Sequence, residues 1–167
     1  AKGAAMGTET TVSFEVIHGN YSLMPNDTLQ KIMHEKLSAR GGITYSSIEN
    51  KFANTIYQTL LSPTAQLGDQ EKVLSYKLTH GYGSTDVGDV SWLVPTAGLR
   101  VSTWVPGTSA HSWQAVAAGG TTIGLKGTKL AVEILSETAV EIYLDPSIAS
   151  KAKQELENRV GEGFNYV

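Results

Sequence analysis

The chain has 167 residues, of which 41% are hydrophobic, and this size and composition favour one folded domain over a disordered chain. Its net charge is −3 at pH 7 and its basic residues are scattered, which argues against a nucleic-acid partner and against an anionic membrane surface. No apolar stretch approaches the ~18 residues of a membrane span, and the N-terminus lacks the order of a signal peptide. The absence of cysteine excludes a disulfide, a thiolate nucleophile and a cysteine-containing zinc site within the chain, and favours a cytoplasmic location.

The first elements are a strand and a helix. Residues 11–17 alternate between apolar and polar side chains, which predicts a half-buried strand. A helix follows with Asn26 or Asp27 as its N-cap, and the glycine pair at 41–42 ends it.

A second helix begins where Ser46 and Glu49 have the spacing of a capping box, and Pro63 ends it. Residues 63–90 are predicted to be mostly loop, with one short strand at 74–78. Their glycine-rich end suits a turn or a site more than a regular element.

The second half alternates once more and then becomes helical. Residues 99–105 are predicted to form a strand, and a long helical pattern follows His111. The Asp145–Pro146 pair supplies a cap and a favoured first residue for a final helix. One face of the long helix is predicted to carry Ile123, Gly127, Leu130, Ala131, Ile134, Leu135 and Thr138.

Mixed helices and strands predict an α/β fold. The pattern predicts at most three strands beside four helices, and three strands are few for a complete α/β sheet. We therefore expect part of the sheet to lie outside this chain, as though the sequence were cut from a longer protein.

His111 is the best ligand candidate from the residues alone. A lone histidine in a loop is more often structural or solvated than functional. Its place after a predicted strand and before a helix, with small residues on its N-terminal side, suits a ligand site. Imidazole is a ligand of zinc, manganese and cobalt, but a metal site needs at least three protein ligands. His18, His34 and His80 lack metal-ligand spacing and are taken as structural or solvated.

The loop "GSTDVGDVS" is the second candidate. Asp86 and Asp89 can bind a cation, orient a histidine ligand, or cap turns, and these readings stay open. The loop matches neither an EF-hand nor a nucleotide-binding loop, and the chain has no GxSxG serine-hydrolase motif.

Two blocks carry a family resemblance: "GSTDVGDVSW" at 83–92 and "GTSAHSWQ" at 107–114. With these blocks the chain resembles the metal-dependent amidohydrolases that include aminoacylases, glutamate carboxypeptidases and hippurate hydrolases. Within that family it is similar to the B subunits of the aminobenzoyl-glutamate hydrolase subgroup. The likeness extends over the whole chain and places it in the C-terminal part of such an enzyme.

The resemblance implies a domain division and a set of site residues. Residues 1–22 would end an inserted lid or dimerisation domain with its last strand, and residues 23–167 would form the C-terminal half of a dinuclear-metallohydrolase catalytic domain. His111 would be a metal ligand. The active-site loop would contribute Ser84, Asp86 and Asp89, as lining or supporting residues.

The family's other metal ligands, its bridging carboxylate and its acidic general base would precede Ala1, so this segment would contain no catalytic residue. The intact enzyme would hold two divalent metals, zinc or manganese, and would cleave the amide of an N-acyl amino acid or a dipeptide-like substrate of the aminobenzoyl-glutamate type. The chain alone would be inactive, with the missing N-terminal half as its partner, and homo-oligomerisation is expected. The alternative is a non-catalytic partner or binding module that keeps the fold.

Overall fold

A 23-residue helix, α6 (Thr122–Leu144), is the centre of the structure, a computed structural model that describes residues 1–83 and 85–166. Three helices pack against it: α2 (Asp27–Arg40), α5 (Trp113–Gly119) and α7 (Pro146–Val160). Helix α2 also packs against α7. The remaining helices are α1 (Lys2–Gly7), α3 (Ser47–Tyr57), α4 (Val87–Ser91) and a short 3-10 turn at Asp69–Glu71.

The core follows one stripe of α6, since Ile123, Gly127, Leu130, Ile134 and Thr138 are all buried, as the sequence predicts. Leu135, assigned to the same face, is instead 48% exposed. The buried apolar side chains packed around this stripe come from α2, α3, α5 and the loops: Met33, Ile43, Tyr45, Ala53, Ile56, Val105 and Ala118.

The predicted helix starts are confirmed because their signals are local. The Asn26 side chain accepts a hydrogen bond from the Leu29 N–H at the start of α2. Both hydrogen bonds of the Ser46–Glu49 capping box form at α3, and Asp145 caps α7, which has Pro146 as its first residue.

The α/β prediction is wrong. The structure is 51% helical, and the residues it describes contain no strand or sheet, so the predicted first strand at 11–17 is absent. Residues 11–17 are all exposed, and within the described chain they form no backbone hydrogen bond to another segment. A strand requires a neighbour that pairs with its backbone, and alternation alone cannot supply one.

The other two predicted strands are also wrong. At 74–78 the alternation does not mark a buried face, because Leu74 and Leu78 are 78% and 71% exposed. At 99–105 the alternating residues pack on a helix rather than in a sheet: Leu99, Val101 and Val105 contact the helical core.

Two smaller differences concern helices. The long helical pattern after His111 is broken into α5 and α6, and the Thr121 hydroxyl caps α6 by accepting from the Ile123 N–H. The glycine-rich loop contains the short helix α4, where an irregular turn is predicted. The division at residue 22 between two domains stays a prediction.

Candidate functional site

His111 lies directly before the N-cap of α5. The N-cap residue Ser112 accepts a hydrogen bond from the Ala115 N–H and donates one to the Ser109 carbonyl at 2.7 Å. His111 itself has φ = 58°, in the left-handed region that non-glycine residues seldom adopt. Such backbone strain is frequent at ligand sites, and here it accompanies an exposed imidazole.

A cavity of about 430 Å³ opens beside this imidazole. The aromatic side chains of Trp104 and Trp113 form part of its wall, and Ser112, Ala115 and Val116 complete the lining. None of these described lining residues is acidic. In the same loop, the buried hydroxyl of Thr108 has no hydrogen-bond partner among the described residues. An unpaired buried hydroxyl is costly, so the loop around His111 has unused hydrogen-bonding capacity.

The described residues do not form a complete metal site. Across 1–83 and 85–166, no group of three or more histidine, aspartate or glutamate side chains is arranged to hold a metal ion. His111 is chemically suited to supply one ligand, but one imidazole does not hold a metal centre.

The acidic loop is mainly a backbone clamp. In α4, the Asp89 carboxylate accepts a hydrogen bond from the Tyr21 N–H at 3.2 Å. The Ser91 hydroxyl accepts from the Met24 N–H at 2.7 Å, and the Trp92 indole donates to the Ser22 carbonyl at 2.7 Å. We call residues 88–92, bound to residues 21–24, the α4 clamp.

Gly88 explains why this clamp fits so closely. A methyl group on Gly88 would overlap the carbonyl oxygen of Tyr21, so only glycine permits this approach of the two backbones. The Asp89 carboxylate binds the backbone of Tyr21, which is distant in sequence, so its role differs from the turn capping considered for it from the sequence. The Asp89 carboxylate also influences Tyr166. The pKa of Tyr166 is raised, mainly by burial and to a smaller extent by the negative charge of Asp89.

Asp86 is the acidic residue of the loop that stays exposed. It occupies the N-cap position of α4, and the described structure gives its side chain no capping hydrogen bond. Ser84 lies outside the described residues. The structure thus separates the sequence candidates: Asp89 is used by the clamp, while Asp86 and His111 are exposed.

Two carboxylate networks, one buried at Glu49 and one partly buried at Glu155, were not anticipated from the sequence. Glu49 accepts from Thr122 at 2.6 Å and from Lys126 at 2.5 Å, which joins α3 to α6. Its capping-box spacing with Ser46 was visible in the sequence, but its partners lie more than 70 residues away.

The second network joins α7 to the start of α2. Glu155 accepts hydrogen bonds from the backbone N–H groups of Asp27 and Thr28, from the Thr28 hydroxyl and from Arg159. Burial opposes ionisation of Glu155, but these donors outweigh it and lower its pKa to about 2. No local sequence signal identifies this pairing.

Comparison with known proteins shows that the chain is similar to a hydrolase subunit. The particular relative is the B subunit of p-aminobenzoyl-glutamate hydrolase from Escherichia coli (strain K12), to which the chain is 35% identical over 180 aligned residues. This confirms the resemblance carried by the two blocks. The alignment covers 93% of the chain, and the chain spans 37% of the length of that relative. No family model and no solved structure gives a significant match.

None of the helices in the described chain has the length and apolar character needed to cross a membrane.

Proposed function

We propose that the chain is the C-terminal portion of a metal-dependent amidohydrolase that cleaves an amide of the aminobenzoyl-glutamate type. The observation that carries the proposal is the 35% identity to one polypeptide of an aminobenzoyl-glutamate hydrolase over nearly the whole chain. The placement of His111 supports it: an exposed imidazole on strained backbone at the edge of a cavity is available to a ligand.

In this proposal His111 supplies one ligand to a divalent metal centre, zinc or manganese, and Asp86 belongs to the active-site loop as a lining or supporting residue. When bound, such metals activate water and polarise the amide carbonyl. The remaining ligands and the general base come from a part of the hydrolase that this chain does not contain. The incomplete donor set of the described residues supports that division, and the chain alone is expected to be inactive.

In this proposal the open depression beside His111 receives the acyl group of the substrate. Its tryptophan walls suit an apolar or aromatic acyl group, and small-molecule pockets are mostly apolar with a few polar groups. Homo-oligomerisation stays a prediction.

The proposal is tested with a chimera in which this chain replaces the aligned portion of the E. coli protein. We expect the chimera to hydrolyse p-aminobenzoyl-glutamate, and His111→Ala to reduce kcat/KM by about 100-fold or more, because even residues behind the ligands cost 10–100-fold. His18→Ala is the matched control, since His18 is also an exposed histidine, and it should keep full activity. Equal activity of the two variants would contradict the role of His111.

The second candidate function is a non-catalytic binding module. The lack of a complete ligand set in the described residues favours it. The same chimera separates the two functions, because a module would give a folded chimera that binds the substrate without turnover.

A further inference from the structure

The last residues of the chain leave the line of α7 and contact α4. Helix α7 is followed by Gly161 and Gly163, whose φ values of 83° and 81° lie in a region that residues with a side chain seldom adopt. We call residues 161–166 the C-terminal tail. Within it Phe164 is half-buried, while the residues on either side of it are exposed. The tail therefore seats one aromatic ring against the rest of the structure.

Two rings of the tail complete an aromatic cluster on the α4 clamp. Within the clamp, the Tyr21 and Trp92 rings pack with their centroids 5.0 Å apart. Phe164 packs on Trp92 at 5.0 Å and meets Tyr21 edge-on at 5.8 Å. Tyr166 packs on Tyr21 at 5.8 Å. Aromatic pairs at these separations attract each other beyond the effect of area burial, so the tail holds the two sides of the clamp together.

The tail also meets the acidic residue of the clamp. Asp89 accepts a hydrogen bond from the Tyr21 N–H, and its negative charge adds to the effect of burial in raising the pKa of Tyr166. The Tyr166 hydroxyl therefore stays protonated at neutral pH and lies close to the Asp89 carboxylate. Asp89 is thus flanked by the backbone of residue 21 on one side and by the tail on another.

Helix α4 depends on these contacts for its position. It has five residues, and isolated helices of fewer than about 12 residues are marginal in water. Gly88 and Ser91 are its buried residues, so its own core contacts are few. Asp86 is the N-cap residue of α4, three residues before Asp89. A shift of the clamp would therefore shift Asp86 with it.

We propose that Phe164 and Tyr166 are positioning residues, which hold the proposed active-site loop in place through the α4 clamp. The inference rests on the proposed function, which gives that loop its role. Neither side chain lines the cavity beside His111, so both act on the site through the clamp and not by touching substrate.

The first test measures residue-resolved hydrogen exchange in the purified chain. Phe164→Ala, or truncation after Glu162, should raise the exchange rates of the Tyr21 and Trp92 amides by about tenfold or more, because the clamp opens more often without the rings of the tail. Both amides are hydrogen-bonded within the clamp and α4, to the carboxylate and the carbonyl of Asp89 respectively.

Two controls separate this local effect from a general loss of stability. The amides of α6 should keep their exchange rates, since the core along that helix contains no residue of the tail. Tyr143→Ala should leave the clamp unchanged, because Tyr143 is 87% exposed and lies at the end of α6. Unchanged exchange at the Tyr21 and Trp92 amides in the truncated chain would overturn the proposal.

Conservative variants and the parent chain give a further check. Phe164→Tyr and Tyr166→Phe keep the rings and should keep the protection, while Tyr166→Ala should raise exchange at the Tyr21 amide. In the parent chain, nuclear Overhauser contacts should join the Phe164 ring to the Trp92 indole. This last measurement needs no variant, and absence of these contacts would overturn the proposal even if a variant misfolds.

The second test uses the chimera with the E. coli protein, at a temperature well below its melting temperature. Phe164→Ala should raise KM and lower kcat/KM by about tenfold, because a displaced loop lines the site less accurately. A merely structural role would reduce the amount of folded enzyme and leave KM unchanged. Phe164→Tyr should restore KM, and Tyr143→Ala should not alter it.

The two proposals fail differently. A chimera without hydrolysis, in which Phe164→Ala still speeds exchange at the Tyr21 and Trp92 amides, contradicts the proposed function and leaves the contact between tail and clamp standing. An active chimera whose KM does not respond to Phe164→Ala contradicts the positioning role alone.

Discussion

At the scale of single residues, Glu49 shows how a buried carboxylate connects distant parts of the chain. It is 6% exposed and accepts hydrogen bonds from Lys126, Thr122 and the Ser46 N–H. These donors, Lys126 first, lower the pKa of Glu49 from 4.5 to about 2. The ionised form is therefore favoured by folding.

Glu49→Gln should lower the free energy of unfolding at pH 7 by about 1–3 kcal/mol, because the hydrogen bonds to a charged acceptor are lost. The folded-state pKa lies below the unfolded value, so the Glu49 contribution is complete above about pH 4.5 and is lost as the pH falls towards 2. The difference in the free energy of unfolding between the parent and the Glu49→Gln protein, measured in urea, should therefore narrow as the pH falls through this range. Exposed Glu71→Gln is the control and should change stability by about 0.5 kcal/mol or less. A gap that stays constant from pH 7 to 2 would contradict the role of Glu49.

Ser91 is the fully buried hydroxyl of the α4 clamp, at 0% exposure. Ser91→Ala removes the acceptor for the Met24 N–H and the donor to the Gly88 carbonyl. We expect a loss of about 1–3 kcal/mol in stability and faster hydrogen exchange at the Met24 amide. Ser150→Ala, at an exposed position on α7, should leave both unchanged. Unaltered exchange at Met24 in the Ser91→Ala protein would show that the clamp does not hold residues 21–24.

At the scale of elements, the contact between α6 and residues 99–105 depends on Gly127. A methyl group there would overlap the Ser102 carbonyl oxygen and lie 2.9 Å from Thr103 Cγ2. Gly127 therefore permits the close approach of a non-helical segment to this helix.

Gly127→Ala should destabilise the protein by about 1–3 kcal/mol through this overlap, although alanine is the better helix former by about 1 kcal/mol. Gly119→Ala in α5 is the matched control, because its nearest neighbour, Trp104 Nε1, lies at an ordinary 3.6 Å. Chemical denaturation measures the free energy of unfolding of the Gly127→Ala and Gly119→Ala proteins. A Gly127→Ala protein as stable as the Gly119→Ala protein would rule out the tight contact.

The elements also show which features the sequence can predict. Helix starts at Ser46 and Asp145 depend on residues within one turn, so their caps are readable directly. The strands fail because alternation at 11–17 or 99–105 describes side-chain faces, while a strand needs a backbone partner from elsewhere.

The candidate site was predictable to a similar extent. The position of His111 before a helix follows from local residues, and its left-handed backbone does not. The clamp role of Asp89 depends on Tyr21, 68 residues away, and no spacing rule contains that pairing.

At the scale of the whole molecule, exposed apolar surface and an incomplete site point to the same conclusion. Large apolar side chains are exposed near both ends of the chain. In the N-terminal segment Phe14 is 68% and Val16 is 79% exposed. At the end of α6, Tyr143 is 87% and Leu144 is 81% exposed. A chain with this surface is suited to contact a further polypeptide. This surface agrees with the proposed function, in which the chain is one part of a larger hydrolase.

The most direct test of this account is the metal content of the chimera that joins this chain to the rest of the E. coli protein. The account predicts about two divalent metals per chain, a lower content after His111→Ala, and no change after His18→Ala. Equal metal content in the His111→Ala and unmodified chimeras would contradict it, because His111 would then not be a ligand.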